Sequence, residues 1–473
     1  MPASRRACSF WRGEAERPLS LRITVVNDCN PQASGSTEAL RLCWQGKARN
    51  ALCDLSPILG GADVPDAARD LLDIAAAIYL ADVAAPRGRN EAWVRDIALE
   101  VPVREPGTWE PLAPDLCRLL HVLTRDNFAV HFPSRDDRAA QTGELRTLDA
   151  PVSLVAPAPS ALGADCISLL SGGLDSLAGA VMLLHTGRSP RFVLHRGGNP
   201  VAESAQKHVL GIVQRLCGEA PAHAAVRVMP HSLPAEPAIR EPSRRARSLL
   251  FMSLAAVTAL TSGVSDIYMC ENGFFSFGLP LTAARAGSLS TRSTHPVALH
   301  LFGELCGKLG LAGRVQNPFL YQTKTELIRD ILRPALPPRD IQRTVSCWAA
   351  GRTHRQCGGC VPCIIRRIAM LAAGLHDEAY EIDILGEPER HRGTDAYVNL
   401  VDVLTQAAGI LTKTDIELLL THPQLLDLQA ASVNVEDALA VLRRHAVDVM
   451  QVVEAHFPAS AALLSAIAEE GTA

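Results

Sequence analysis

One hexapeptide constrains this chain more than any other stretch: Ser171-Gly172-Gly173-Leu174-Asp175-Ser176, reached from the apolar run Ile167-Ser168-Leu169-Leu170. An apolar run that stops at two glycines predicts a buried strand ending in a tight turn, and the segment after it predicts a helix. Adjacent glycines let the backbone approach a bulky anion. The free amides and dipole of a helix start favour negative charge at the same place. Ser171 and Ser176 add hydroxyl donors, and Asp175 sets a carboxylate beside the anion, which suits a bridging Mg2+. No Lys follows the glycines, so this is not the phosphate loop that ends in Gly-Lys-Ser/Thr.

The surrounding pattern predicts an α/β domain. Strands are expected over 166–170, 192–195, 224–229 and 266–270, and helices over 177–185, 202–216 and 244–260. That alternation implies a doubly wound parallel sheet with ligands at the carboxyl ends of its strands. At 473 residues the chain is too long for one ordinary core. Three units are expected: an N-terminal α+β extension over 1–160, the glycine-loop domain over 161–390 and a helical region over 391–473. Residues 156–164 read as a linker. In the extension, 21–26 and 96–103 alternate like strands, while 67–81 and 112–123 read as helices; Trp93 and Trp109 are expected in the core.

Net charge of −4 argues against nucleic acid as a main partner, and 4% aromatic residues against stacked single-stranded bases. No apolar stretch is long enough to span a bilayer, and the first residues lack the apolar core of a signal peptide, so no membrane partner and a cytoplasmic location are expected. Of the 13 cysteines, nine are scattered singly, which is not a disulfide framework. The other four are Cys347, Cys357, Cys360 and Cys363. Thiolates two residues apart chelate one ion from a turn that Gly358 and Gly359 allow, and Cys347 closes a tetrahedron. Four sulfurs suit structural Zn2+ with no open position for water, and an iron–sulfur cluster is the competing occupant.

The hexapeptide resembles the pyrophosphate (PP) loop of the N-type ATP pyrophosphatases, which have a HUP-like fold. Together with the cysteine quartet and the Ile364-Ile365-Arg366-Arg367 that follows it, the chain is similar to the 7-cyano-7-deazaguanine synthase (QueC) family. Two more segments carry the likeness: Arg247-Ser248-Leu249-Leu250-Phe251, with Ser248 where the family has Asn, and Thr323-Lys324-Thr325-Glu326-Leu327. The resemblance covers roughly residues 165–375. The family's deazaguanine-contacting stretch is replaced by Glu271-Asn272-Gly273-Phe274-Phe275-Ser276-Phe277-Gly278, Arg285 and Ser290-Thr291-Arg292-Ser293-Thr294-His295-Pro296. With its extension and tail, the whole chain looks most like the QueC-like members of Qat antiphage systems.

The resemblance implies an ATP- and Mg2+-dependent ligase. Leu170, Ser171, Gly172, Gly173, Leu174, Asp175 and Ser176 would bind ATP. Asp175, Lys324 and Arg247 would act in catalysis. Glu271, Asn272, Arg285, Arg292 and His295 would line the pocket of the second substrate. A carboxylate, expected to be 7-carboxy-7-deazaguanine, would be adenylated and passed to an amine as an amide or nitrile. A protein amine or a defence-operon partner stands among the candidate acceptors, and a homodimer among the expected assemblies. A tRNA-modifying PP-loop enzyme and a catalytically silent ATP-binding scaffold stay open as alternatives.

Overall fold

Ten strands and a set of helices make up the computed structural model, which describes residues 21–25, 39–43, 49–60, 62–87, 94–135, 163–231, 241, 243–280, 292–311, 313–348, 356–377 and 380–470. In chain order the main elements are β1 (Leu21–Val25), β2 (Ala39–Leu42), β3 (Ala51–Asp54), α1 (Asp66–Ala84), β4 (Asp96–Glu100), α2 (Ala113–Thr124) and β5 (Asn127–His131). The glycine-loop region follows with β6 (Cys166–Leu169), α3 (Leu174–His185), β7 (Pro190–His195), α4 (Pro200–Cys217), β8 (His223–Pro230), α5 (Arg247–Ser262), β9 (Asp266–Tyr268), α6 (Pro296–Lys308) and β10 (Arg314–Gln316). Helices α7 (Val361–Ala372), α8 (Asp395–Thr412), α9 (Val435–His456) and α10 (Pro458–Glu470) complete the long elements.

The central sheet has the order β10-β9-β6-β7-β8-β3 and is parallel except for β3, which pairs antiparallel with β8. From β6 the chain moves outward through β7 to β8, then returns to the other side of β6 as β9. The strand order therefore reverses between β6 and β9, and the crevice above such a reversal is where open α/β sheets bind ligands. The glycine loop leaves β6, and Glu271 and Asn272 follow β9, so both rims of that crevice carry candidate residues.

The N-terminal region departs from the α+β arrangement expected of it. Four of its five described strands form a sheet of order β2-β1-β4-β5 that is parallel throughout, while β3 joins the central sheet. Between β4 and β5 the chain crosses over through α2, and a helical crossover of this kind produces parallel pairing. Helix α1 is apolar on nearly every face, with Leu71, Leu72, Ile74, Ala75, Ile78 and Leu80 all fully buried. It packs against α5 of the central region, and one apolar cluster runs from Ile23 through Leu71 and Leu254 to Leu311. A single amphipathic stripe fails to describe it because it is covered on both sides. Trp109 is fully buried, as expected, whereas Trp93 and most of the 156–164 linker lie outside the described residues.

A second apolar cluster joins α7, α8 and α9 to Phe274, Phe277 and Leu279. The C-terminal helices thus share a core with the segment just after β9. No described helix is long and apolar enough to cross a membrane.

Candidate active site at the sheet switch point

The glycine loop is built from its neighbours' backbone. Gly172 has φ +85°, a left-handed conformation that costs an L side chain dearly. A Cβ there would lie 2.8 Å from the Gln206 amide nitrogen and 2.9 Å from Ala205 backbone and side-chain atoms on α4. Gly173 differs: it precedes α3 with φ −86° and ψ 170°, and its Cβ would meet nothing closer than 3.4 Å. The hydroxyls close the turn from inside. Ser171 Oγ donates to Ser176 Oγ (3.1 Å) and accepts from the Gly173 amide (3.3 Å), and Ser176 Oγ donates to the Gly173 carbonyl (3.0 Å).

Asp175 is buried and held from two other strand ends. The Asn272 amide (3.1 Å) and its Nδ2 (2.7 Å) both donate to Asp175 Oδ2, and Lys324 Nζ donates to Oδ1 in an ion pair. The loop after β6, the turn after β9 and the helix after β10 therefore converge on one carboxylate. Asn272 is spent here, with its Oδ1 accepting from the Phe275 amide (3.4 Å). Lys324 begins a short helix capped by Thr323, whose Oγ1 accepts from the Glu326 amide while Glu326 accepts from the Thr323 amide. Its ammonium also lies 5.6 Å from the Phe275 ring centre.

The C-terminal helix α9 supports this cation from behind. Arg444 pairs with Glu326 (2.8 Å) and donates to the Tyr321 carbonyl (2.7 Å), so both ends of the Lys324 turn are tied to it. His445, buried against Phe274 at 3.9 Å between ring centres, is pushed down to about 3 by burial and by Lys324. It stays neutral and adds no charge against the lysine. Nothing in the local sequence around Lys324 announces α9.

Glu271 lies beside the pair. Its carboxyl accepts from Thr294 Oγ1 (2.6 Å), Thr294 Oγ1 meets Ser276 Oγ (3.0 Å), and Asn317 Nδ2 donates to the Glu271 carbonyl (2.7 Å) and to Ser276 Oγ (2.9 Å). Burial and the nearby Asp175 raise the Glu271 carboxyl to about 7, against the opposing Thr294 hydrogen bond and Lys324.

The other expected residues lie apart from this pair. Arg247 starts α5 with its guanidinium 5.3 Å from the Phe251 ring centre, near His195 at the end of β7; it makes no described contact with Asp175. Arg292 is buried and separate from the loop, and His295 caps α6 by accepting from the Val297 amide (3.3 Å). Burial and Arg292 push His295 down to about 3, so it is a neutral capping group. Arg285 lies outside the described residues. Sequence reasoning missed Gln206. Its Nε2 donates to the carbonyls of Leu170 (3.5 Å) and His195 (3.2 Å) at two strand ends, and its buried Oε1 has no partner among the described residues.

The four cysteines come together as expected. Their sulfurs lie within 4.8 Å of one another, with Cys357–Cys363 and Cys347–Cys360 both at 3.9 Å. A tetrahedron with metal–sulfur bonds of about 2.3 Å has edges of about 3.8 Å, so the set fits one Zn2+. An iron–sulfur cluster would need room for several irons and sulfides between the thiolates. The Cys357 and Cys360 amides point at sulfurs, at 3.5 and 3.4 Å. Gly358, at φ +85°, would put a Cβ 2.1 Å from the Ile382 carbonyl, and Asn399 Nδ2 of α8 donates to the Gly359 carbonyl (2.9 Å). The knuckle thereby fastens the C-terminal helices. Next to it, fully buried Arg366 pairs with Asp377 (2.6 Å) and donates to Thr344 Oγ1 (2.8 Å), while the Val345 amide donates to the Gly172 carbonyl (3.1 Å). The cysteine module therefore backs the glycine loop.

Comparison with known proteins gives curated relatives that are 7-cyano-7-deazaguanine synthases. The chain is 31% identical over 135 residues to that of Nitrosococcus oceani, which covers 28% of this chain and about half, 55%, of the relative. It is 29% identical over 228 residues to that of Thiobacillus denitrificans and 27% over 225 residues to that of Stutzerimonas stutzeri, each covering 45% of this chain and 95% of the relative. No family model and no solved structure matches the chain.

Proposed function

We propose that this chain is an ATP-dependent synthase that activates a carboxylate by adenylation, releases pyrophosphate and passes the acyl group to an amine. The observation that carries this reading is the convergence of Asp175, Asn272 and Lys324 beside a serine-rich glycine loop at the switch point of a parallel sheet. The similarity to 7-cyano-7-deazaguanine synthases supports a 7-deazaguanine carboxylate as substrate.

In this reading the phosphates lie over Ser171, Gly172, Gly173 and Ser176, where the start of α3 supplies amides and a favourable dipole. Asp175 is the ligand available to Mg2+, which would neutralise the phosphates when bound. Lys324 then exchanges its Asp175 contact for the charge that grows on the leaving pyrophosphate. Asn272 keeps Asp175 aimed through this exchange. Glu271, raised to about 7, accepts a proton from the attacking ammonium or amine near neutral pH. Arg247 is assigned to the nucleotide or acid substrate from the β7 side. The four cysteines hold Zn2+ for structure only.

The product is an amide or, after a second dehydration, a nitrile. The rewritten Glu271–Pro296 region supports an acceptor other than free ammonia, a protein amine among them, and the extra N- and C-terminal regions support a role within a Qat-type antiphage system. A thiolase-type tRNA modification is disfavoured because the thiol of half-buried Cys270, just after β9, is pushed far up by desolvation and by the Asp175 carboxylate. The test is mass spectrometry of products from ATP, 7-carboxy-7-deazaguanine and ammonium. AMP with an amide or nitrile of the acid supports the reading; unchanged acid with AMP absent, with and without candidate partner proteins, refutes it.

A further inference from the structure

Away from the Asp175–Lys324 pair, three arginines from separate parts of the chain meet at the start of α5. Arg245 Nη1 donates to the Thr124 carbonyl (3.3 Å), which brings in Arg125 from the end of α2. Ser248 Oγ donates to Ser293 Oγ (2.7 Å), which brings in Arg292 from the segment before α6. Arg292 is 6% exposed and Arg245 4%. Arg125 is half-buried in a left-handed conformation, φ +65°, that Gly or Asn adopts more cheaply.

The acids close to them serve other cations. Asp126 is shared by Arg87 (2.7 Å) and Arg95 (2.6 Å), and Asp82 by Arg95 (2.5 Å) and the Ala246 amide (2.9 Å). The guanidiniums of Arg125 and Arg292 have no hydrogen-bond partner among the described residues. Among the described residues, the exposed Asp427 is the carboxylate whose charge reaches both. Burial and Arg125 push Arg292 down to about 10, and both guanidiniums lower neighbouring His295. A poorly hydrated guanidinium beside a second one is costly unless something repays it. Strained, over-charged positions of this kind concentrate where ligands bind.

We propose that Arg125 and Arg292 form a second oxyanion site, distinct from the glycine loop, that takes a phosphate or carboxylate group of a ligand. A guanidinium pair suits such a group because each fork offers two parallel donors. The site joins the N-terminal region to the segment that carries Thr294, the hydrogen-bond partner of Glu271. It does not rest on the adenylation chemistry.

The test uses the full-length protein at constant ionic strength, with inorganic phosphate and malonate as separate probes. Wild type, R125Q, R292Q, R292K and the R125Q/R292Q double variant are compared by thermal unfolding and by titration calorimetry, with ATP binding measured alongside. The expected result has four parts: phosphate or malonate raises the wild-type melting temperature; the double variant loses at least tenfold in affinity for that probe; R292K keeps part of it; and ATP affinity is unchanged. Without anion, R292Q melts higher than wild type, because a repulsion is removed. Which probe binds more tightly distinguishes a phosphate ligand from a carboxylate. The proposal is overturned if both probes stabilise the double variant as much as wild type, or if R292Q lowers the melting temperature equally with and without anion.

Discussion

The two glycines of the loop look equivalent in sequence and are not equivalent in structure, which makes Gly172→Ala and Gly173→Ala a matched pair of tests. At Gly172 the left-handed backbone costs an alanine about 1–2 kcal/mol. The new Cβ would also press on the Gln206 amide nitrogen at 2.8 Å and on Ala205 at 2.9 Å. Those atoms belong to the body of α4 and cannot rotate away, so overpacking adds about 1–3 kcal/mol. The expected total is about 2–5 kcal/mol. At a few degrees per kcal/mol, Gly172→Ala should lower the melting temperature by at least about 4 °C. Gly173→Ala keeps an ordinary extended backbone with no contact under 3.4 Å, and should melt within about 1 °C of wild type. The assay is thermal unfolding with and without MgATP. Both variants should lose ATP-dependent stabilisation, the first because the loop is displaced and the second because a methyl group stands where phosphate approaches. A Gly172→Ala protein as stable as wild type would refute the packing argument.

Other expectations follow from the same contacts. Glu271, raised from 4.5 to about 7, binds a proton in the folded state that the unfolded chain has released, so its contribution falls as pH rises through that window; Glu271→Gln should flatten the decline in stability between about pH 4.5 and 7, measured by urea unfolding across pH. Arg366→Met leaves the Asp377 carboxylate, 2% exposed, without its cation, and should cost about 3–5 kcal/mol in denaturant unfolding. Wild-type protein should release about one equivalent of zinc on denaturation in a colorimetric assay and Cys360→Ser about none, and the variant should expose the α8 and α9 segments to proteolysis before the central sheet.

The legible parts were those with a local signature. The loop and α3 could be read because an apolar strand stops at Gly172, and the cysteine knuckle because its spacing is itself chelating geometry. Strands β6 to β8 and helices α4 and α5 fall within a few residues of expectation. Strands β2, β3, β5 and β10 lie outside the strands expected from sequence: each has five residues or fewer, so alternation registers only weakly in them. The addition of β3 to the central sheet, through pairing of Asp54 with Arg227, is a contact no local pattern encodes. Lys324 could be nominated by resemblance, but its partner is 149 residues away and its support comes from Arg444 and His445 on a helix read only as a tail. His295 is expected in the second-substrate pocket from its place in the rewritten segment; the proline after it, starting α6, marks the capping position it occupies.

Acid-dependent release of pyrophosphate from ATP tests the central claim most directly. Purified protein would be assayed with and without 7-carboxy-7-deazaguanine, alongside Asp175→Asn and Lys324→Met. The account predicts release that requires the acid and falls by about 100-fold or more in each variant, since each removes a charge that acts on the phosphates. Release that ignores the acid, or that survives in both variants, would contradict it.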